Sequence, residues 1–100
     1  MKVVWTRQAF ARLAEIEDYI ALDSATAAVA HTEKLIARAE ALAAFPEMGR
    51  SVPELQGSGL RELIEGSYRI VYRIHRRRIE VLTVFEGHHL LPVEDLQEEG

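Results

Sequence analysis

The sequence has no cysteine, only three prolines and one tryptophan, and no apolar run near the roughly 20 residues that a bilayer-spanning helix needs. Without thiols, neither a disulfide framework nor a thiolate metal site can form, and redox chemistry at cysteine is excluded. The first residues pass from Lys2 to a strand-like Val3-Val4-Trp5, which is not the core of a signal peptide. A soluble, unsecreted, cytoplasmic protein with no membrane partner is therefore expected. A basic excess is missing too. The 12 Lys and Arg stand against 16 Asp and Glu, a net charge of −4, which argues against a broad field for holding RNA or DNA. Glu94, Asp95, Glu98 and Glu99 crowd the last residues, so the body is neutral with local clusters, and 91–100 reads as a polar acidic tail.

What is present is the composition of an ordinary globular domain, 48% apolar and 28% charged over 100 residues. That length supports one modest core, so residues 1–100 are expected to form a single domain. Lys2 to Trp5 reads as a strand, and Thr6 offers a side-chain oxygen to cap a helix. Ala9, Leu13, Ile16 and Ile20 then recur at helical spacing, which predicts a helix over about 7–22. Asp23 and Ser24 suit a second cap. Ala28, Leu35, Ala39 and Leu42, joined by Ile36 and Ala43, form a second stripe that Pro46 and Gly49 close. The short connection makes the two a helical hairpin.

Past Pro46 the period changes from 3.6 to 2. Leu60 to Ile64 predicts a strand that turns at Glu65-Gly66-Ser67. In the next strand, Tyr68, Ile70, Tyr72 and Ile74 share one face while Arg69, Val71, Arg73 and His75 share the other. The last strand alternates Ile79, Val81, Thr83 and Phe85 against Glu80, Leu82, Val84 and Glu86. The basic stretch from His75 to Arg78 joins these two strands as a hairpin. The order β-α-α-β-β-β gives an α+β fold, with the hairpin of helices on one face of a small four-stranded, mainly antiparallel sheet. Its other face is expected to stay open.

The residues that could carry chemistry each have a plainer reading. Tyr68, Tyr72, Trp5 and Phe85 could stack on bases, but their alternation with isoleucines favours core positions. Phe10 and Phe45 read as packing between helices and loop. Arg76-Arg77-Arg78 is the only cationic run, and it reads as a solvated hairpin tip rather than an RNA contact. His88 and His89 could exchange protons near neutral pH, or simply face solvent at a strand exit. Adjacent histidines with no cysteine or close third histidine do not suggest a zinc site. Arg50 and Arg61 could meet a target or pair with Glu54, Glu62 or loop carbonyls.

Several motifs occur in a fixed order: Trp5-Thr6; Ile16-Glu17-Asp18-Tyr19-Ile20; Pro46, Gly49-Arg50 and Val52-Pro53-Glu54-Leu55; Arg61-Glu62-Leu63; Tyr68-Arg69-Ile70-Val71-Tyr72-Arg73; and Val84 with Gly87. This series resembles the RelE/ParE superfamily of small bacterial toxins, and its Gly-Arg and Val-Pro-Glu-Leu loop looks most like the ParE-type members. The resemblance implies the toxin of a type II toxin-antitoxin pair. It also implies a cognate ParD-like antitoxin, a ribbon-helix-helix dimer whose C-terminal segment wraps the toxin and through which alone operator DNA is met.

Two activities are known in the superfamily: poisoning DNA gyrase and cutting messenger RNA on the ribosome. Cutting without a metal needs a base for the 2′-hydroxyl, an acid for the leaving oxygen and cations for the charged phosphorane. Aligned on the motifs, Ile64 stands where the RNA cutters resembled here place an arginine, and Asp95 falls near their terminal tyrosine. Gly87-His88-His89 also lacks the usual arginine after the last strand. The expectation is therefore a gyrase poison with no cofactor, no metal and no catalytic residue. Arg50, Arg61, Arg69, Arg73, His88 and His89 are its target-binding candidates. The alternatives are a ribosome-dependent endoribonuclease using His88, His89 and Arg61, or a non-toxic member that only binds antitoxin.

Overall fold

The computed structural model describes residues 1–97. Strand β1 (Lys2–Trp5) leads into helix α1 (Arg7–Ala21), which Thr6 caps by accepting from the Ala9 amide. Helix α2 (Ala25–Glu40) starts at Ser24, whose hydroxyl accepts from the Ala27 amide, and tightens into a 3-10 turn over Ala41–Ala43. These side chains satisfy amides that have no partner within a helix's first turn. Strands β2 (Arg50–Ser51), β3 (Leu60–Glu65), β4 (Tyr68–Ile74) and β5 (Arg78–Glu86) follow.

The sheet has five strands in the order β1-β5-β4-β3-β2, with β1 parallel to β5 and every other pair antiparallel. Four strands were expected. The fifth, β2, lies inside the proline-and-glycine loop and is two residues long, so it has no periodicity to read. The β3–β4 turn is held by Gly66, whose φ of +59° suits the first position of a two-residue hairpin loop.

Helix-side packing follows the stripes. Ala9, Leu13, Leu35, Ala39 and Leu42 bury against Leu63, Ile70, Tyr72, Ile79, Val81 and Val84. The opposite face is not open, as expected from sequence, but carries a second cluster. Val71, Leu82 and Phe85 are covered there by Val52, with Leu55 and Leu91 packed alongside and Leu96 buried among them. The covering residues sit in or just before short turns at Pro53–Leu55 and Val93–Leu96 rather than in periodic elements, which is why the cover was not visible in the pattern.

The last strand also departs from simple alternation. Val71 pairs with Thr83 and Tyr72 with Val81, so Leu82 is an extra residue, a β-bulge. The insertion reverses the phase halfway along β5. Ile79, Val81 and Val84 therefore share the helix-side cluster, while Leu82 and Phe85 join the opposite one.

Candidate functional site

Glu62 is the least expected residue of the opposite face, a carboxylate with no exposed side-chain surface. An isolated charge there would be costly, and it is held by two guanidinium groups. Arg50 reaches it from β2 at 2.8 Å, and Arg69 from β4 at 2.8 Å through Nε. Arg69 extends the chain by gripping Glu54 with both terminal nitrogens, at 2.8 and 2.7 Å, and lies 4.8 Å from the centre of the Phe85 ring. The fork on Glu54 pulls its carboxyl down to about 2 and raises the Arg69 guanidinium above its ordinary value. Physically, Arg50-Glu62-Arg69-Glu54 fastens the 3-10 turn over Pro53–Leu55 onto the sheet.

Arg61 points elsewhere. Its Nη1 donates to the carbonyl of Gly49 at 2.8 Å and, more distantly, to that of Glu47. The same loop is held from beneath by Tyr72, whose hydroxyl donates to Pro46 O at 2.7 Å and accepts from the Gly49 amide at 3.0 Å. Burial raises the Tyr72 phenol. A Cβ at Gly49 would lie 2.5 Å from that hydroxyl, so only glycine fits the close approach. Of the two roles open to Arg50 and Arg61, the one seen is pairing: a carboxylate for the first and loop carbonyls for the second.

Arg73 is half-buried on β4, in register with Leu60 and Glu80. His88 and His89 follow β5 with side chains 91% and 75% exposed, each 3.9 Å from a Glu86 oxygen, too far for a direct hydrogen bond. They leave the sheet at the end marked by Tyr68↔Glu86, whereas Arg61 is opposite Tyr72, toward the other end. The structure does not bring the two histidines together with Arg61. Ile64 is exposed, without charge or hydrogen-bonding atoms in its side chain. Among the described residues, no group of three or more His, Asp or Glu side chains could hold a metal.

A cluster that sequence reasoning missed joins the C-terminal segment to both layers. Asp95 is 6% exposed, accepts from Thr83 Oγ1 at 2.9 Å and from Arg12 Nε at 2.6 Å, and the bond to Asp95 holds the Arg12 guanidinium above its ordinary value. Glu94 adds a further contact to Arg12 at 3.2 Å. The signal was present in the sequence as an acid set among Leu91, Val93 and Leu96, but its partner lies 83 residues away. The acidic stretch from residue 91 is thus anchored where it is described, while Glu98, Glu99 and Gly100 lie outside the described residues.

Above this clasp, Arg12, Ile16, Tyr19, Tyr68, Phe85 and His89 help line an open groove of about 430 Å³ between α1 and β5. Burial and nearby Glu86 raise the Tyr68 phenol. The helical hairpin itself exposes Phe10, Tyr19, Leu22 and Val29. Phe10 was expected to be packed inside, yet it is 57% exposed and stacks on Trp5 with ring centres 5.7 Å apart. Among the described residues no helix is long and apolar enough to cross a membrane.

Comparison with known proteins agrees with this architecture. The chain is 34% identical to a Sinorhizobium fredii protein named "Putative toxin Y4kP" over 91 residues, which are 91% of this chain and 93% of that one. Its structure is similar to a chain of a solved structure titled "Chromosomal ParDE TA system from P. aeruginosa", with a TM-score of 0.73 and 25% identity, covering 86% of this chain and 95% of the other. Residues 3–90 match the profile of a family described as the ParE toxin of the type II toxin-antitoxin system parDE. With the match running from β1 past the end of β5, the chain belongs to the ParE toxin family.

Proposed function

We propose that this ParE-family chain arrests growth by binding DNA gyrase and stabilising a cleaved-DNA state, and that it performs no bond chemistry itself. One observation carries the choice of target. Three of the four candidate arginines are engaged internally, with Arg50 and Arg69 on Glu62 and Arg61 on loop carbonyls. Ile64 supplies no cation, and Asp95, which by sequence falls near the terminal tyrosine of the RNA cutters, is buried against Arg12 and Thr83. An RNA cutter needs a base, an acid and a cation focused on one phosphate, and these residues face other partners.

A ParD-like antitoxin is the proposed neutralising partner. Its C-terminal segment would fold on binding, laying apolar side chains along the hairpin surface that exposes Phe10, Tyr19, Leu22 and Val29. Operator DNA would be met through that partner, and the complex would act in the cytoplasm. Two assays on antitoxin-free protein test the target: gyrase supercoiling with detection of cleaved DNA, and cleavage of messages on translating ribosomes. Inhibited supercoiling with intact message is expected. Normal gyrase turnover at saturating folded protein, together with codon-phased cuts, would replace this reading with the endoribonuclease that uses His88 and His89.

A further inference from the structure

One end of the molecule lies outside the hairpin surface proposed for the antitoxin. There the loop after α2 carries Phe45, 65% exposed, and Met48, 37% exposed, although Phe45 was expected to pack inside. With Met1, Pro46 and Ile74 they line a shallow apolar depression, and Glu47 is the carboxylate on its rim. Scattered apolar residues on a surface need no explanation, and here Phe45, Met48 and Ile74 are gathered in one depression. This loop is rigid. Tyr72 holds Pro46 and Gly49, Arg61 holds the Gly49 carbonyl, and Arg38 Nη1 lies 3.6 Å from Met48 Sδ. A partner would find the patch already formed, which lowers the ordering cost of association.

Apart from Glu47 on the rim, the turn next to it in the chain is basic, in contrast to the molecule's net charge. Ile74 ends β4 and is followed directly by the turn that His75 closes by donating its amide to Arg78 O at 2.8 Å. Lys2 pairs with Arg78 in the β1–β5 register, beside Met1 of the depression. Arg76, Arg77 and Arg78 are exposed and make no ion pair among the described residues. An apolar depression whose Ile74 leads directly into an exposed turn of three arginines is complementary to a segment that alternates apolar and carboxylate side chains.

We propose that this end is a docking surface for an acidic amphipathic protein segment. Its apolar side chains would seat on Phe45, Met48 and Ile74, and its carboxylates would meet Arg76, Arg77 and Arg78. The net charge of −4 selects this occupant over nucleic acid. A polyanion longer than the cluster would run on over a neutral-to-acidic body, whereas a short acidic segment meets only the basic end, within about one Debye length of roughly 8 Å. The inference does not depend on which cellular target the toxin takes.

The test uses the full chain and a short fluorescein-labelled synthetic peptide with leucine and glutamate on opposite faces of a helix. A glutamine-for-glutamate control peptide and a single-stranded oligonucleotide serve as competing probes, read by fluorescence anisotropy. The acidic peptide is expected to bind, and both Phe45→Ser with Met48→Ser and Arg76→Glu with Arg77→Glu should weaken it by about tenfold or more, the scale of one lost anchor. Both variants change exposed side chains, so unchanged thermal unfolding should accompany the loss. Equal binding of the glutamine peptide, wild-type binding by either variant, no binding of the acidic peptide, or tighter oligonucleotide binding lost in the arginine variant would each overturn the proposal.

Discussion

The two faces of the sheet are buried by different means. On the helix side, two amphipathic helices place Leu13, Leu35 and Leu42 against Leu63, Ile70 and Val81 in an apolar cluster, with the Tyr72 hydroxyl at its margin. On the other side, a smaller cluster around Val71, Leu82 and Phe85 is closed by two short turns. Those turns are fastened by charge: Glu54 and Glu62 to Arg69 on one, Asp95 to Arg12 and Thr83 on the other. Apolar burial is non-directional and indifferent to pH, whereas a charge-fastened cover depends on each partner's ionisation. The comparison teaches that the arginines of the motif series have structural partners, so losing one unfastens a cover before it touches a target.

Replacing Arg69 separates the faces most sharply. Arg69→Ala leaves the buried Glu62 with Arg50 alone, removes the partner of Glu54 and uncovers part of Phe85. Breaking a buried charge pair from one side costs about 3–5 kcal/mol. Leu35→Ala on the helix face should cost a comparable or smaller amount, about 2–5 kcal/mol, from lost burial and the cavity left behind. What differs is the response to acid. The gap between wild type and Arg69→Ala should narrow as carboxylates are protonated, while that of Leu35→Ala should stay flat. Urea unfolding followed by Trp5 fluorescence across the acid range measures both, and parallel curves would break the comparison.

Tyr72 joins the two regions, because its ring lies in the helix-side cluster while its hydroxyl secures the loop that precedes β2. Tyr72→Phe keeps the packing and leaves the Gly49 amide and Pro46 carbonyl without that partner. A loss of about 1–3 kcal/mol is expected, the cost of unsatisfied buried polar groups. Hydrogen exchange should locate it: faster exchange at 46–52 with helices α1 and α2 still protected. Uniform acceleration through the helices would mean that the loop is not a separable unit.

The helix face was legible from sequence because periodicity reports it directly. Ala9 and Leu13 in α1, and Ala28, Leu35 and Ala39 in α2, are buried as their spacing requires, and Thr6 and Ser24 cap as their chemistry allows. The opposite face was not legible. Val52 precedes a turn of three residues and Leu96 ends one of four, too short for any period, and the bulge at Leu82 reverses a phase that otherwise reads cleanly. The motif series singled out Arg50, Arg61 and Arg69, and for the first two the sequence left a target and pairing with Glu54, Glu62 or loop carbonyls both open. Pairs such as Arg12 with Asp95 join residues far apart in the chain, and a single sequence carries no sign of that.

Acid offers the smallest and most selective test of the charged cover. Glu54 is held at about 2, chiefly by the two hydrogen bonds from Arg69, against an ordinary carboxylate value of 4.5. A carboxyl depressed in the folded state stabilises it fully above the unfolded value, and that contribution is lost as pH falls through the folded one. The window therefore runs from about 4.5 down to about 2. Glu54 is 43% exposed, so solvent screening limits the effect to about 0.2–1 kcal/mol, the range of surface pairs. Across that window, Glu54→Gln should make stability less pH-dependent, with exchange at 52–55 already fast at neutral pH. An unchanged acid limb would show that Glu62 and Arg50 hold the turn without Glu54, which would shift the fastening point to the buried carboxylate.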